Sequence, residues 1–433
     1  MSSVKARARR EEAAPSETGS AQASSRASLL DRYRAVRQAT ETLAAPLSAE
    51  DQTIQSMPDA SPTKWHRAHT TWFFETFLLE PHLEGYQPFD GHYVYLFNSY
   101  YEAVGARHQR SARGMITRPG IDEIAAYRAH VDSAMMELLR DPPPRVVELV
   151  ELGLNHEQQH QELLLTDIKH ALSLNPIAPT YLPAPLKVAE STTAPKWLEV
   201  GGGIYRVGHE GEGFAYDNEG PAHDVLLCDF AIADRPVSVG DYLAFIEDGG
   251  YQRASLWLSD GWALVNAEGW RAPAYWSCED GIFSAYTLYG VGPLHPNEPV
   301  CHVSFYEAAA FAVWADRRLP SEFEWEVAAR RAQAGAGAGA ADPIDVVPHP
   351  RPLAPGFHQD VWEWTGSAYL PYPGFHPAPG AVGEYNGKFM INQMVLRGRS
   401  CATQPGHDRL TYRNFFPASA RWQFSGFRLA QDR

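Results

Sequence analysis

The strongest constraint on the fold is a break at residues 175–196, NPIAPTYLPAPLKVAESTTAPK. Proline recurs through this stretch without any apolar period. Proline fixes φ and removes a backbone donor, so the segment suits neither a helix interior nor a central strand and predicts a linker. The chain differs in kind on its two sides. Before the break, apolar residues recur at helical spacing over 29–45, 61–79, 121–139 and 145–172. After Trp197, glycine, tryptophan and short strand-like runs dominate, with clear helical spacing only at 304–317 and 321–330. The expectation is a four-helix bundle over 28–175, a linker over 176–196 and an irregular α+β domain over 197–433. Residues 1–27, rich in Ser, Ala and charge, read as a disordered tail.

Two loops stand out. Ser61-Pro62 predicts a helix start, with Ser as N-cap and Pro in the first turn. The connection 80–120 is long for a compact bundle and rich in Tyr, Gly and Arg, which marks it as functional. The run 332–341, AQAGAGAGAA, reads as a low-complexity surface loop.

Charge and sulfur narrow the class. The chain has 37 Lys+Arg against 52 Asp+Glu, a formal charge of -15, which lacks the basic footprint of a nucleic-acid partner. Cys228, Cys278, Cys301 and Cys401 are far apart in sequence, so no CxxC pair exists, and scattered thiols fit a reducing cytoplasm. No apolar stretch approaches the roughly 20 residues of a membrane span, and the N-terminus lacks a secretory h-region. The expected partners are small molecules; the sequence leaves oligomeric state open.

The chemistry concentrates in Asn155-His156-Glu157-Gln158-Gln159-His160-Gln161-Glu162. His156 and His160 are i and i+4 on the fourth helical segment, so both imidazoles leave one face, the spacing two ligands of one metal need. Apolar Leu163, Leu164 and Leu165 follow, so this turn borders a core. Glu162 lies about 200° round an ideal helix from His160 and points elsewhere, which predicts a structural carboxylate rather than a third ligand. Trp65-His66-Arg67-Ala68-His69 offers two further imidazoles, and spacing alone does not choose between them. Three neutral imidazoles suit Fe, Zn or Cu; the HExxH signature of zinc hydrolases is absent.

These residues resemble the sulfoxide synthases of ergothioneine biosynthesis, the EgtB family. SPTKWHRAHTTWFFETFLL and NHEQQHQELLLTD resemble the family's DinB-like four-helix bundle. GGGIYRVGHEGEGFAYDNEGPAH, PVCHVSFYEAAAFAVWADRRLPSEFEWEVAAR, DVWEWTGS, VLRGRS and SGFRLA resemble its C-type-lectin-related, formylglycine-generating-enzyme-like domain. The resemblance implies Fe(II) held by His69, His156 and His160, with O2 used to join a thiol to C2 of the hercynine imidazole as a sulfoxide. Six-coordinate iron leaves three positions for the two substrates and O2, a role redox-inert zinc does not fill.

Finer roles follow from the same resemblance. NSYYEAVGAR with Arg110 and Arg113 is similar to the subfamily that uses free cysteine. It implies a proton- or hydrogen-donating Tyr100 or Tyr101, and arginines that pair with the cysteine carboxylate. On residue type alone, the tyrosines would read as packing and the arginines as solvated. Gln159 matches a residue that binds the betaine carboxylate. Asn414, Phe415 and Phe416, following Arg413, match the region that meets the trimethylammonium group, with Phe416 standing where relatives carry an acid and leaving cation–π contact to serve. Formylglycine-generating enzymes themselves hold copper with a cysteine pair; here Cys401 has no neighbour in sequence, which argues against that activity. The alternatives are a selenoneine- or ovothiol-type synthase on the same scaffold, and a non-catalytic DinB/lectin-like binding module.

Overall fold

A computed structural model describes residues 17–183, 194–336, 346–357, 360–384 and 386–433. The first helix, α1, spans Glu17–Ala44 and so begins before its apolar stripe. The disordered tail expected at 1–27 therefore lies outside the described residues only through residue 16, and from Glu17 onward the chain is helical. Pro15 is the last proline before this helix. Beyond it, each residue added to a docked helix gains a hydrogen bond, so the helix extends past the apolar positions that anchor it.

The other three helices fall where their periodicity placed them: α2 at Thr63–Phe74, α3 at Ile121–Leu138 and α4 at Pro144–Ser173. The last turn of the second segment, Glu75–Leu79, is π-helical, which the periodicity does not distinguish. The expected Ser61 cap is not made. Pro62 occupies the N-cap position with no side-chain cap, while the Ser61 hydroxyl accepts from Arg113 Nη1 at 2.9 Å and its N–H donates to Asp167 at 2.8 Å. A buried guanidinium and a carboxylate, both distant in sequence, outcompete the local turn for this serine.

α4 packs against α1 and α2, and α2 also against α3, around Trp65, Trp72, Phe73, Phe74, Tyr127, Val131 and Leu154. Burying each such side chain is worth roughly 1.5–3 kcal/mol. The approach of α2 to α4 depends on Gly153, where an added Cβ would lie 2.7 Å from the Phe74 ring. Only a residue without a side chain lets the two helices come this close. One turn further along α4, Glu157 is wholly buried between Arg37 at 2.9 Å and Arg128 at 3.0 Å and accepts from Thr40 at 2.6 Å. Burial pushes its carboxyl up, but the two arginines outweigh burial and hold it below its usual value. This network fixes the rotation of α4 against α1 and α3.

After residue 196 the chain builds small sheets. A four-stranded sheet orders Asn414–Phe416, Met394–Gly398, Trp362–Ala368 and Ser425–Phe427, the last joined in parallel and the others antiparallel. A second sheet places Phe230–Ala233 between Trp197–Val200 and Ala430–Asp432, so the central strand joins the first and last strands of this part. The expected helices appear at Phe305–Trp314, closed by a Ser304/Glu307 capping box, and at Glu322–Ala336. The latter is longer than its apolar pattern and takes in the start of the run read as a loop, because alanine favours helix; residues 337–345 lie outside the described residues. Of the linker read at 176–196, residues 184–193 also lie outside them, while 176–183 and 194–196 hold no helix or strand. Among the described residues no helix is long and apolar enough to cross a membrane.

The two parts meet along α4. Gln158 donates to the Pro405 carbonyl at 3.0 Å, Gln159 to the Tyr412 hydroxyl at 2.6 Å, and Lys169 Nζ lies 2.6 Å from His302 Nε2.

Candidate metal centre and substrate cavity

Rotation of α4 and its close contact with α2 bring His69, His156 and His160 together, with one ring nitrogen from each within 4.8 Å of the others. His66 is not in this group, so the choice that spacing left open is made by packing. His69 stacks between Trp65 at 4.5 Å and Trp72 at 5.4 Å, both rings within 15° of parallel. Its Nδ1 lies 2.6 Å from the Phe97 carbonyl. A carbonyl only accepts, so the hydrogen sits on Nδ1 and Nε2 keeps its lone pair for a metal.

His66 supports the cluster from behind. Its Nε2 lies 3.1 Å from Asp167, and its Nδ1 lies 2.9 Å from His160 Nδ1. Asp167 accepts from His66 Nε2–H, so His66 Nδ1 is free to accept from His160 Nδ1–H, which leaves His160 Nε2 to bind metal. His156 presents a buried Nδ1 with no hydrogen-bond partner. Burial is the first cause holding all three imidazoles below the usual histidine range, His156 at about 4, with neighbouring histidines adding to it. At neutral pH they offer lone pairs rather than protons. Three neutral imidazoles with nitrogens fixed toward one point fit a first-row transition ion.

The histidines line a cavity of about 290 Å³ that also takes in every other candidate catalytic or substrate-binding residue read from the sequence. The loop after α2 supplies Tyr100, Tyr101, Arg110 and Arg113. Tyr101 is buried against Trp72 and Phe77, and so packs on the ring that stacks on His69. Tyr100 packs edge-on to Phe389, and its hydroxyl accepts from Arg110 Nη1 at 2.8 Å. The arginines differ. Arg110 is 41% exposed beside Asp59. Arg113 is 4% exposed, lies 3.3 Å above the Trp65 ring and donates to Ser61 and Ser99 hydroxyls. Its Nε has no partner, and among the described residues no carboxylate oxygen comes within ion-pair distance of it.

The far wall comes from the second part of the chain. Asn414, Phe415 and Phe416 form the outer strand of the four-stranded sheet. Phe415 stacks on Tyr369 at 4.1 Å, and Phe416 meets Trp422 edge-on at 6.0 Å. Arg413 turns away from the cavity chemistry: its guanidinium forks onto Glu322 at 2.8 and 2.9 Å. Gln159 reaches this wall through Tyr412. Sequence reasoning did not find Tyr412, Trp362, Asp167 or Gln423, which also line the cavity. Asp167, in the quoted NHEQQHQELLLTD run, lies seven residues past His160, two turns along the same face, and that spacing was the available signal. The others gain their place only from the tertiary fold.

Two expectations change in detail. Glu162 is outside the metal group, as its helical position predicted, and among the described residues its carboxylate has no ion-pair partner. It accepts from three neutral donors of the second part, Trp362 Nε1 at 2.6 Å, Ser400 at 2.6 Å and Thr403 at 3.0 Å. Burial raises its carboxyl despite these bonds. Cys401, isolated in sequence, shares a buried cluster with Cys301. Burial pushes the Cys301 thiol to about 12 and Cys401 higher than usual, so both are protonated thiols in the metal-free protein.

A family profile described as "Sulfatase-modifying factor enzyme 1-like domain" matches residues 184–345. The "Hercynine oxygenase" of Mycolicibacterium smegmatis is 34% identical over 418 residues, covering 87% of this chain and 92% of that protein. The "Hercynine oxygenase" of Mycobacterium tuberculosis is 32% identical over 403 residues, with the same coverages of 87% and 92%. A "Formylglycine-generating enzyme" of Thermomonospora curvata is 34% identical over 167 residues, 34% of this chain and 51% of that protein.

Proposed function

Because the chain belongs to the hercynine oxygenase family, we propose that it is a non-haem Fe(II), O2-dependent sulfoxide synthase of ergothioneine biosynthesis. It joins the thiol of free cysteine to C2 of the hercynine imidazole. The observation that carries this reading is the convergence of His69, His156 and His160 with two tyrosines, two arginines and an aromatic wall on one cavity. Iron(II) on the three imidazoles would leave positions for both substrates and supply the O2 activation that the protein side chains lack.

The chain's own groups then bind, orient and deliver protons. Arg113, a buried cation lacking a protein carboxylate, receives the carboxylate of the thiol substrate in a charge-assisted bond. Gln159, anchored by Tyr412, turns toward the betaine carboxylate, while Phe415 and Phe416 offer aromatic faces to the trimethylammonium group. Arg110 donates to Tyr100 Oη and so stabilises charge developing on that oxygen as its hydrogen leaves. Tyr101 presents the second phenol, closer to the His69 stack. All four cysteines are free thiols, in keeping with the cytoplasm.

The test is anaerobic loading with Fe(II), addition of hercynine with cysteine, gamma-glutamylcysteine or a selenium donor, then exposure to O2 and mass spectrometry of products. The expected result is a hercynine–cysteine sulfoxide, with cysteine preferred. No carbon–sulfur product with any thiol overturns the reading, and preference for another donor overturns the cysteine assignment.

A further inference from the structure

One cavity residue has no role in the account so far and is in an unusual state. Gln423 is 4% exposed, yet neither Nε2 nor Oε1 has a hydrogen-bond partner. Among the described residues it is the one side chain with both amide atoms buried and unpaired. Buried polar groups are normally satisfied, and leaving them unsatisfied is costly, so such an amide points to a missing partner. Its backbone is anchored. The Gln423 carbonyl accepts from Ser425 N at 2.8 Å, and Ser425 begins a strand of the four-stranded sheet. The next residue, Phe424, lies under Lys169 Nζ at 5.2 Å, which sets this segment against the turn of α4 that carries Thr166 and Asp167. Gln423, Trp422, Thr166 and Asp167 line the same cavity as the histidines.

Here buried polar groups adjoin the aromatic wall, which Trp422 meets at Phe416. Ser61 ties Arg113 to Asp167, receiving one and donating to the other. Arg113 brings a buried positive charge with an unpartnered Nε, and Trp422 adjoins Gln423 with a buried, unpartnered Nε1. The unspent groups are thus a cation, N–H donors and one amide oxygen that needs an N–H. A carboxylate answers the donors, but only a molecule that also bears N–H hydrogens answers Oε1. A betaine head has none to give, because its nitrogen is quaternary, and the ring N–H of hercynine is remote from its carboxylate. An unmodified α-amino acid head has both.

We propose that Gln423 binds the zwitterionic head of the thiol substrate. Its Oε1 accepts from the α-ammonium and its Nε2 donates to the α-carboxylate, whose charge Arg113 neutralises. The assignment rests on the reading that the cavity joins a thiol amino acid to hercynine, and it gives Gln423 a direct part in choosing that thiol.

The test compares wild type with Gln423→Met, which keeps volume and removes both polar atoms. Anaerobic calorimetric titration of the iron-loaded protein with cysteine needs no turnover. Charge-assisted bonds of this kind are worth about tenfold or more in affinity, so the variant should bind cysteine at least that much more weakly. The KM for hercynine should stay within about twofold. 3-Mercaptopropionate, which keeps the carboxylate but lacks the ammonium, should lose affinity on the substitution by a smaller factor than cysteine does. The substrate-free variant should melt no lower than wild type, because an unsatisfied amide has been removed. Equal cysteine affinity in the two proteins, or a shift confined to hercynine, overturns the proposal. A lower melting temperature with both substrates weakened together also overturns it and makes Gln423 structural. If wild type binds cysteine in a Gln423-dependent way but forms no sulfoxide, the proposed reaction fails and this site stands.

Discussion

The two faces of the cavity are finished to different degrees. On the bundle face, His69 is bonded to Phe97, His160 to His66, and His66 to Asp167, so the imidazoles are aligned before any ligand arrives. On the thiol side, among the described residues, Arg113 has no carboxylate and the Gln423 side-chain amide has no hydrogen-bond partner. The first is a preorganised metal centre, whose value is rigidity; the second is a set of groups held out of water for a substrate to satisfy. Substitutions on the two faces should therefore fail differently, the first losing metal or fold and the second losing selectivity.

The largest expected effect that leaves the metal in place is at the tyrosines. Phenylalanine at the acting member of Tyr100 and Tyr101 keeps the packing and removes the hydrogen. Sulfoxide formation should fall by about 10²–10⁴-fold while flux diverts to cysteine sulfinic acid. The product ratio under O2 for the two single variants decides which tyrosine acts, and a wild-type ratio in both removes the pair from the chemistry.

Next is Glu157→Ala, which strips a carboxylate from the buried Arg37 and Arg128. Breaking such a network should cost about 3–5 kcal/mol in denaturant unfolding and loosen the histidine cluster with it. A loss below about 1 kcal/mol would mean Asp132 and Glu41, the arginines' other partners, suffice without it.

The arginines should separate by burial. Arg113→Ala should lower kcat/KM for cysteine by about 10–100-fold, from a lost charge-assisted contact. Arg110→Ala, at a half-exposed and screened position, should cost only a few-fold. Equal losses would contradict the contrast between a buried carboxylate site and its rim.

Acid should weaken the bundle face. The three imidazoles are held neutral in the fold, so the unfolded chain binds more protons once the pH drops below about 6.5. Stability of the metal-free protein should be full above that value and fall as pH moves toward 4, by up to about 1.4 kcal/mol per pH unit for each histidine. His156→Asn should remove one histidine's share of the slope; an unchanged slope would place the titration elsewhere.

What was legible in the sequence was what is local. His156 and His160 needed only the period of a helix, and Glu162 was excluded as a ligand by the same angle. His69 over His66 was not legible from spacing, because it depends on how α2 rolls against α4 at Gly153; only family resemblance supplied it. The Ser61 cap was misread because Arg113 and Asp167, far along the chain, claim the serine. Gln423 was invisible, since an amide's lack of partners belongs to packing and has no local pattern. The Cys301–Cys401 neighbourhood likewise arises from two segments a hundred residues apart.

The most direct test of the central claim is iron content and sulfoxide formation measured together, on protein purified without oxygen, for alanine variants of all four histidines. Loss of both iron and product at His69, His156 and His160, with iron retained but more weakly held at His66, is the predicted result. An emptied site in His66→Ala with iron retained in His69→Ala, or full sulfoxide formation without the His156–His160 pair, would contradict it.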